Sequence, residues 1–358
     1  VGNAWQLNGD EWMRVLIIGG TGFIGSHVVN KLCQMKHEVT VLHRGKTEKQ
    51  LPSGATSLIG DRSALGEVAP QIKKLHPDVI IDMIPKTAQD AWDLIGVSTG
   101  IATRLVMVSS VDVYRAYNRL RKTEPGTPDP VPLTEEAPLR EKLYPYRGNA
   151  VDAMHPAFQY DKILVERLAL SAPDLPTTIL RLPVVYGPGD PQQRIFDYLK
   201  RMDDGRSALL LGVNQSKWKL TRGYVEDVAA GVALSVNDAS GGNHIYNVGE
   251  PDALTEEEWV TLIGEQAGWK GRIVKVDRES MPTHLLQGND WKQDLTITSD
   301  KIRTELGYLE AFDRKEAIAK TIEWQRKNPP ESIEAEKFDY AAEDAAIKAA
   351  NNHVGSAK

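Results

Sequence analysis

Three glycines, Gly19, Gly22 and Gly25, stand at G-x-x-G-x-x-G spacing in "GGTGFIG". Before them runs "MRVLII", short, apolar and rich in β-branched residues. After them comes a helical pattern from about Gly22 to Met35. In a strand–turn–helix setting this spacing allows a tight turn and a close approach of the backbone to a pyrophosphate. The unpaired N–H groups of the helix start then face the negative charge. Gly19, Thr21, Gly22, Phe23, Ile24 and Gly25 are therefore candidate dinucleotide contacts; the alternative is a glycine turn kept only for helix–sheet packing. The second strand ends in "VLHRG". A carboxylate at that point would bind the adenosine ribose of NAD through its 2′-hydroxyl. His43 and Arg44 stand there instead. An arginine pairs with a 2′-phosphate in bidentate fashion, so NADP is preferred over NAD, although a strand-end arginine also sits comfortably in solvent. Asp61 and Arg62, in "IGDRS", follow the third strand. Asp61 there could meet the adenine amino group or cap the next helix.

Elements that would position these residues recur along the chain. "EVTVLHRG", "DVIIDMIP", "ATRLVMVSS" and "PTTILRLPVVYG" read as strands, with helical patterns between several of them. Alternation of this kind implies α/β architecture, a Rossmann-type doubly wound parallel sheet covered on both faces. From about Gly187 the character changes, and a smaller C-terminal α/β lobe, rich in helix, is expected. "ALTEEEWVTLIGEQAGW" in that lobe opens with Thr255 and Glu258, a capping box at a helix start. The expected organisation is an N-terminal extension over 1–12, a dinucleotide-binding domain over 13–186, a substrate lobe over 187–330 and a tail over 331–358. "NHIYNVG", near 240–250, would return a strand to the first domain. "RKTEPGTPDPVPLTEEAPLREKLYPYRG" is proline-rich without periodicity and reads as a long loop over the place where a substrate would lie.

Length and composition bound the function. The 358 residues suffice for a sizeable core. No apolar run is long enough to span a bilayer. The net charge of −6 and the lack of a basic, aromatic-interleaved stripe argue against a nucleic-acid partner. Cys33 is the single cysteine, so no intrachain disulfide forms; a cytoplasmic or other reducing compartment fits. The histidines show no metal-ligand spacing, and no metal is expected.

Taken together, "IIGGTGFIGSH", "VMVSSVDVY", the Lys162–Glu166 segment, "ILRLPVVYGPGD", "YVEDVA" and "YNVGEP" occur in an order that resembles the extended or atypical short-chain dehydrogenases/reductases of the NAD(P)-dependent epimerase/dehydratase superfamily. The resemblance covers roughly residues 13–325. It implies a Rossmann domain for the cofactor, a C-terminal lobe for a small-molecule substrate, a cleft between them and, in many relatives, a homodimer. It also implies a serine that orients the substrate oxygen, a tyrosine acid/base, and a lysine that holds the nicotinamide ribose and lowers the tyrosine's pKa. Ser110 matches the serine and Lys162 the lysine. Pro183, Val184 and Val185 match the segment lining the nicotinamide pocket. Trp218 and Arg222, in "KWKLTRGYVEDVA", are candidate substrate contacts, although Arg222 sits closer to Asp227 than in sugar-nucleotide epimerases.

The segment "AFQYDKILVE" departs from the family at the tyrosine. Phe158 stands four residues before Lys162, where the tyrosine is expected, and carries no ionisable proton. On a continuous helix Tyr160 would be rotated by roughly 200° from Lys162, at about 100° per residue, and would point away. Tyr114 is a further donor candidate from elsewhere in the chain. The expectation is thus an NAD(P)-dependent oxidoreductase or epimerase/dehydratase-like enzyme acting on a small hydroxyl or carbonyl compound, with Phe158 at the usual tyrosine position. The alternative is a catalytically weak or inactive dinucleotide-binding regulatory protein.

Overall fold

A computed structural model describes residues 12–46, 50–147, 152–238 and 241–356; most of the expected extension over 1–12 lies outside them. The first half alternates as expected: β1 (Arg14–Ile18), α1 (Phe23–Gln34), β2 (Glu38–His43), β3 (Ala55–Ile59), α2 (Leu65–Leu75), β4 (Val79–Asp82), α3 (Ala88–Ser98) and β5 (Arg104–Ser110). A short α4 (Arg115–Leu120) leads into the proline-rich segment, and α5 (Lys162–Leu170), β6 (Thr177–Leu182) and β7 (Val184–Tyr186) follow it. Beyond these lie α6 (Phe196–Asp203), β8 (Ala208–Gly212), α7 (Val213–Lys217), β9 (Lys219–Leu220), β10 (Arg222–Tyr224) and α8 (Val225–Leu234). The chain closes with β11 (His244–Asn247), β12 (Leu254–Thr255), α9 (Glu256–Ala267), β13 (Arg272–Val276), α10 (Asp300–Leu306), α11 (Arg314–Lys327) and α12 (Tyr340–Ser356).

Seven strands form one parallel sheet in the order β11-β6-β5-β4-β1-β2-β3. Strand side chains alternate between faces, and β1 shows why both faces must be covered. Val15 and Ile17 pack into the core beneath α1 and α8, while Leu16 and Ile18 join the opposite core with α2, α3 and α5. All four are buried, as a parallel sheet wound on both sides requires. The strand order reverses direction between β1 and β4. That switch point opens a crevice at the carboxyl ends of the strands, where ligands bind in folds of this kind.

The second lobe pairs β8 with β13 and packs α9 against α6 and α11. The capping box read at Thr255 forms: Glu258 N–H donates to Thr255 Oγ1 at 3.2 Å and Thr255 N–H to Glu258 Oε2 at 2.8 Å. In the tail, Ala346, Ile347 and Ala350 of α12 pack against β8 and β13, and buried Glu343 pairs with Arg201 at 2.7 Å. No helix among the described residues is long and apolar enough to cross a membrane.

Candidate active site

The glycine turn lies at the end of β1, at the switch point. Gly19 has φ +86°, a conformation that favours glycine. A Cβ on Gly25 would lie 2.2 Å from the Gly19 carbonyl oxygen, so only glycine lets the helix start this close to the strand end. Gly22 precedes α1 without a side-chain cap, and the first turn carries no acidic residue. The leading N–H groups are thus left to an anion, which is what a dinucleotide pyrophosphate needs. Thr21, Phe23 and Ile24 are half-buried around this turn.

At the end of β2, the His43 ring is held on both sides. Its Nδ1 accepts from the Gly45 N–H at 3.1 Å, and its Nε2 meets Ser57 Oγ at 2.7 Å. Arg44 is exposed and acts on Asp61 through its charge. The Asp61 carboxylate caps the turn after β3, accepting from the Ser63 N–H and Oγ–H at 2.9 and 2.8 Å. Those bonds, helped by Arg44 and Lys46, hold its pKa below the usual carboxylate value. Arg62 departs from its expected role. It turns inward and is buried, with Nε donating to Asp82 Oδ2 at 2.8 Å and Nη2 to the Asp90 carbonyl at 2.6 Å. Burial raises the Asp82 pKa, and the Arg62 charge opposes that shift, so the two side chains hold each other at the end of β4.

Lys162 begins α5, and the physical reason is its neighbour. Asp161 is the N-cap, with its carboxylate accepting from the Ile163 N–H at 2.9 Å. Buried Asp161 also receives the Tyr144 N–H at 2.5 Å and the Arg140 guanidinium at 3.3 Å, tying the proline-rich loop to the helix start. Lys162 Nζ donates to the carbonyls of Pro85 and Val108, the latter at 2.8 Å, and is buried. An ammonium has three donors, so one remains. Burial lowers the Lys162 pKa to about 8 against the pull of Asp112 and Asp82.

The late helix start overturns the expectation for the residues before it. Phe158 lies in a 3₁₀ turn, and Tyr160 has extended backbone angles, so neither shares a helix with Lys162. The wrong-face reading of Tyr160 therefore fails. Its phenol reaches the end of β5 and donates to Asp112 Oδ2 at 2.7 Å. Ser110 Oγ accepts from the Asp112 N–H at 3.2 Å, so Ser110, Asp112, Tyr160 and Lys162 gather at one strand end. Phe158 lies instead beneath Arg147, whose guanidinium carbon is 4.6 Å from its ring and 3.5 Å from that of Tyr144. Arg147 Nε also donates to the Phe158 carbonyl at 2.9 Å.

Tyr114 is not available as a donor. It is fully buried, its hydroxyl donates to Asn247 Oδ1 at 2.6 Å, and burial pushes its pKa up to about 12. The same oxygen accepts from Arg181, which pairs with Glu166 at 2.7 Å; Glu166 in turn accepts from Ser109 Oγ–H at 2.5 Å. Pro183 and Val185 are buried, Val185 within the core, while half-buried Val184 packs with Val111, Tyr114 and Trp218. Trp218 and Arg222 also depart from their expected role as substrate contacts. The Trp218 indole N–H donates to the Gln293 carbonyl at 2.8 Å. Arg222 is buried, pairs with Glu256 at 2.5 Å and lies 4.3 Å from the Trp259 ring centre. Sequence reasoning missed Asp112, although it lies inside the quoted "SSVDVY". It also missed a cavity of about 230 Å³ bordered by Trp291, Lys122, Arg278 and Lys292; Trp291 packs edge-on against Trp218 at 5.1 Å.

Comparison with known proteins agrees with this fold. A Rhizobium meliloti (strain 1021) protein named "Probable UDP-glucuronate 4-epimerase" is 23% identical over 88% of this chain and 98% of its own. The UDP-N-acetyl-alpha-D-glucosaminuronate decarboxylase of Bacillus cytotoxicus is 24% identical over 88% of this chain and 98% of its own. The structure of MoeE5 in complex with UDP-glucuronic acid and NAD shares the fold, with TM-score 0.64 and 22% identity over 88% of this chain and 99% of that one. The model of the NAD dependent epimerase/dehydratase family matches residues 15–249, and the chain belongs to that family.

Proposed function

We propose that the protein is an NADP-preferring enzyme acting at a hydroxyl or carbonyl carbon of a small, sugar-like substrate, with Tyr160 in the place of the usual acid/base phenol. The observation that carries this reading is the Tyr160 phenol hydrogen-bonded to Asp112 at the strand end that also bears Ser110 and Lys162. The uncapped start of α1 and the Gly19–Gly25 turn would hold the pyrophosphate. The third donor of Lys162 would hold a ribose hydroxyl, and Ser110 would orient the substrate oxygen. A bound nicotinamide supplies the hydride acceptor or donor. Tyr160 gives a proton to the substrate oxygen, or takes one from it, as the carbon is reduced or oxidised. The cavity beside Trp291 carries Lys122, Arg278 and Lys292 together with Asp277 and Asp290, a charged lining that suits a polar, hydroxyl-rich substituent on the substrate. Relatives named for UDP-sugars support that class.

NADPH and NADH binding, followed by fluorescence, together with turnover of aldehydes, ketones and sugar nucleotides watched at the nicotinamide absorbance, tests the proposal. Cofactor binding with turnover of one substrate class is the expected result. Cofactor binding without turnover anywhere in a broad panel would favour the binding-protein reading, and no cofactor binding would reject both. For cofactor choice, Arg44→Ala removes a charge-assisted contact of about 1.5–3 kcal/mol, so NADPH affinity should fall roughly 10- to 100-fold with NADH affinity little changed. Equal losses would contradict the NADP preference.

A further inference from the structure

Among the described residues the Asp112 carboxylate forms no salt bridge, and Arg140 and Lys162 act on it by charge alone. It is 5% exposed, its Oδ2 accepts a hydrogen bond from the Tyr160 hydroxyl at 2.7 Å, and its Oδ1 is buried with no hydrogen-bond partner among the described residues. Arg140 Nε donates to the Asp112 backbone carbonyl at 2.5 Å and not to its carboxylate. An orphaned charged oxygen in the interior is costly, and protonation of the group relieves that cost. Lys162 keeps its contacts on the Pro85 and Val108 carbonyls.

We propose that Asp112 is the proton acceptor behind Tyr160, and that the Tyr160 phenol relays a proton without itself ionising. The inference rests on the activity proposed above. In the oxidative direction the substrate O–H bond breaks as its proton joins Tyr160 Oη, while the Tyr160 O–H bond breaks as that proton joins Asp112 Oδ2. A bound nicotinamide would supply the acceptor for the hydride of the carbinol carbon, and the reductive direction reverses each proton transfer. One O–H bond is lost and one gained at the phenol, so it stays neutral throughout. This differs from a mechanism in which the lysine draws the tyrosine into its anionic form. Burial and the adjacent Asp112 carboxylate both hold the Tyr160 ionisation well above the ordinary value for a phenol. Burial raises the Asp112 pKa, opposed by the Tyr160 hydrogen bond and by the charges of Arg140 and Lys162, and reinforced by Asp161. Tyr146, whose ring lies 5.3 Å from that of Tyr160 and whose phenol meets Tyr117, completes the titratable surroundings.

Tyrosine labelled with ¹³C at Cζ, with the Tyr160 resonance assigned through its loss in Tyr160→Phe, reads the relay in the protein without substrate. The Tyr160 signal should move once, with a midpoint above the ordinary carboxylate value of about 4, and the step should vanish in Asp112→Asn. No tyrosinate signal should arise from Tyr160 below about pH 10. In turnover, the acid limb of the kcat profile for oxidation should follow the same midpoint. Asp112→Asn should lose that limb and about 10²-fold or more in kcat, Asp112→Glu should regain part of it, and cofactor affinity should stay unchanged. Ionisation of Tyr160 near neutral pH, or an acid limb that survives Asp112→Asn, would overturn the relay. Absence of turnover in the native protein would reject the proposed activity and leave the NMR titration to decide the relay alone.

Discussion

Replacing Tyr160 with phenylalanine is expected to lower kcat by about 10²–10⁴-fold, the usual contribution of a positioned acid/base, while cofactor affinity changes little. The removed atom is the phenol oxygen that lies 2.7 Å from Asp112 Oδ2. The rest of the ring remains, half-buried and tilted against Tyr146, so the fold should survive. The reciprocal experiment separates this account from the family pattern. Phe158→Tyr, which would restore the missing tyrosine by sequence position, should not raise kcat in the native background or rescue Tyr160→Phe. Phe158 belongs to a 3₁₀ turn beneath Arg147, and a hydroxyl added there would extend from a ring stacked under a guanidinium. Rescue by Phe158→Tyr would show that the helix extends back past residue 158 in the working enzyme. Steady-state kinetics with the substrate found in the panel measures both effects.

The second large effect is on stability. Glu166→Ala should destabilise the protein by about 3–5 kcal/mol, the loss typical when one member of a buried ion pair is removed. Arg181 is 2% exposed and gives two hydrogen bonds to Glu166, at 3.1 and 2.7 Å. Without Glu166 its charge would remain buried, with Tyr114 Oη and the Glu135 carbonyl as its remaining acceptors among the described residues. Ser109 Oγ–H would also lose its acceptor. Glu166→Gln should cost less, because it keeps one acceptor oxygen for the guanidinium. Chemical denaturation at neutral pH would show the difference as a shifted midpoint. A change below about 1 kcal/mol, the scale of an exposed pair, would mean that Arg181 finds another partner or reaches water.

The glycine turn and the alternating strands were legible because local constraints write them. Gly25 must be glycine for steric reasons, and β1, β4 and β5 are apolar because both faces of a parallel sheet are covered. Burial of charge was not legible. Arg62, Arg222 and Tyr114 are polar side chains of a kind that reads as available for ligands, yet each is held inside by a partner distant in sequence: Asp82, Glu256 and Asn247. Such pairings depend on tertiary contact, which spacing does not encode. The start of α5 was different, since its signal was present. Asp161 directly before "KILVERL" is an N-cap in front of an apolar-periodic run. Read so, Lys162 opens the helix, and Tyr160 is released from the face on which helical geometry had placed it. Asp112 was also in view, but its importance comes from the phenol that reaches it across 48 residues of chain.

Tyr160 as the phenol that meets substrate is tested most directly by a crystal structure with NADP⁺ and a substrate or product bound. The predicted result is Tyr160 Oη within hydrogen-bond distance of both the reacting oxygen and the Asp112 carboxylate, with Phe158 still beneath Arg147. A reacting oxygen met by any other proton donor, with Tyr160 turned away from it, would contradict the account.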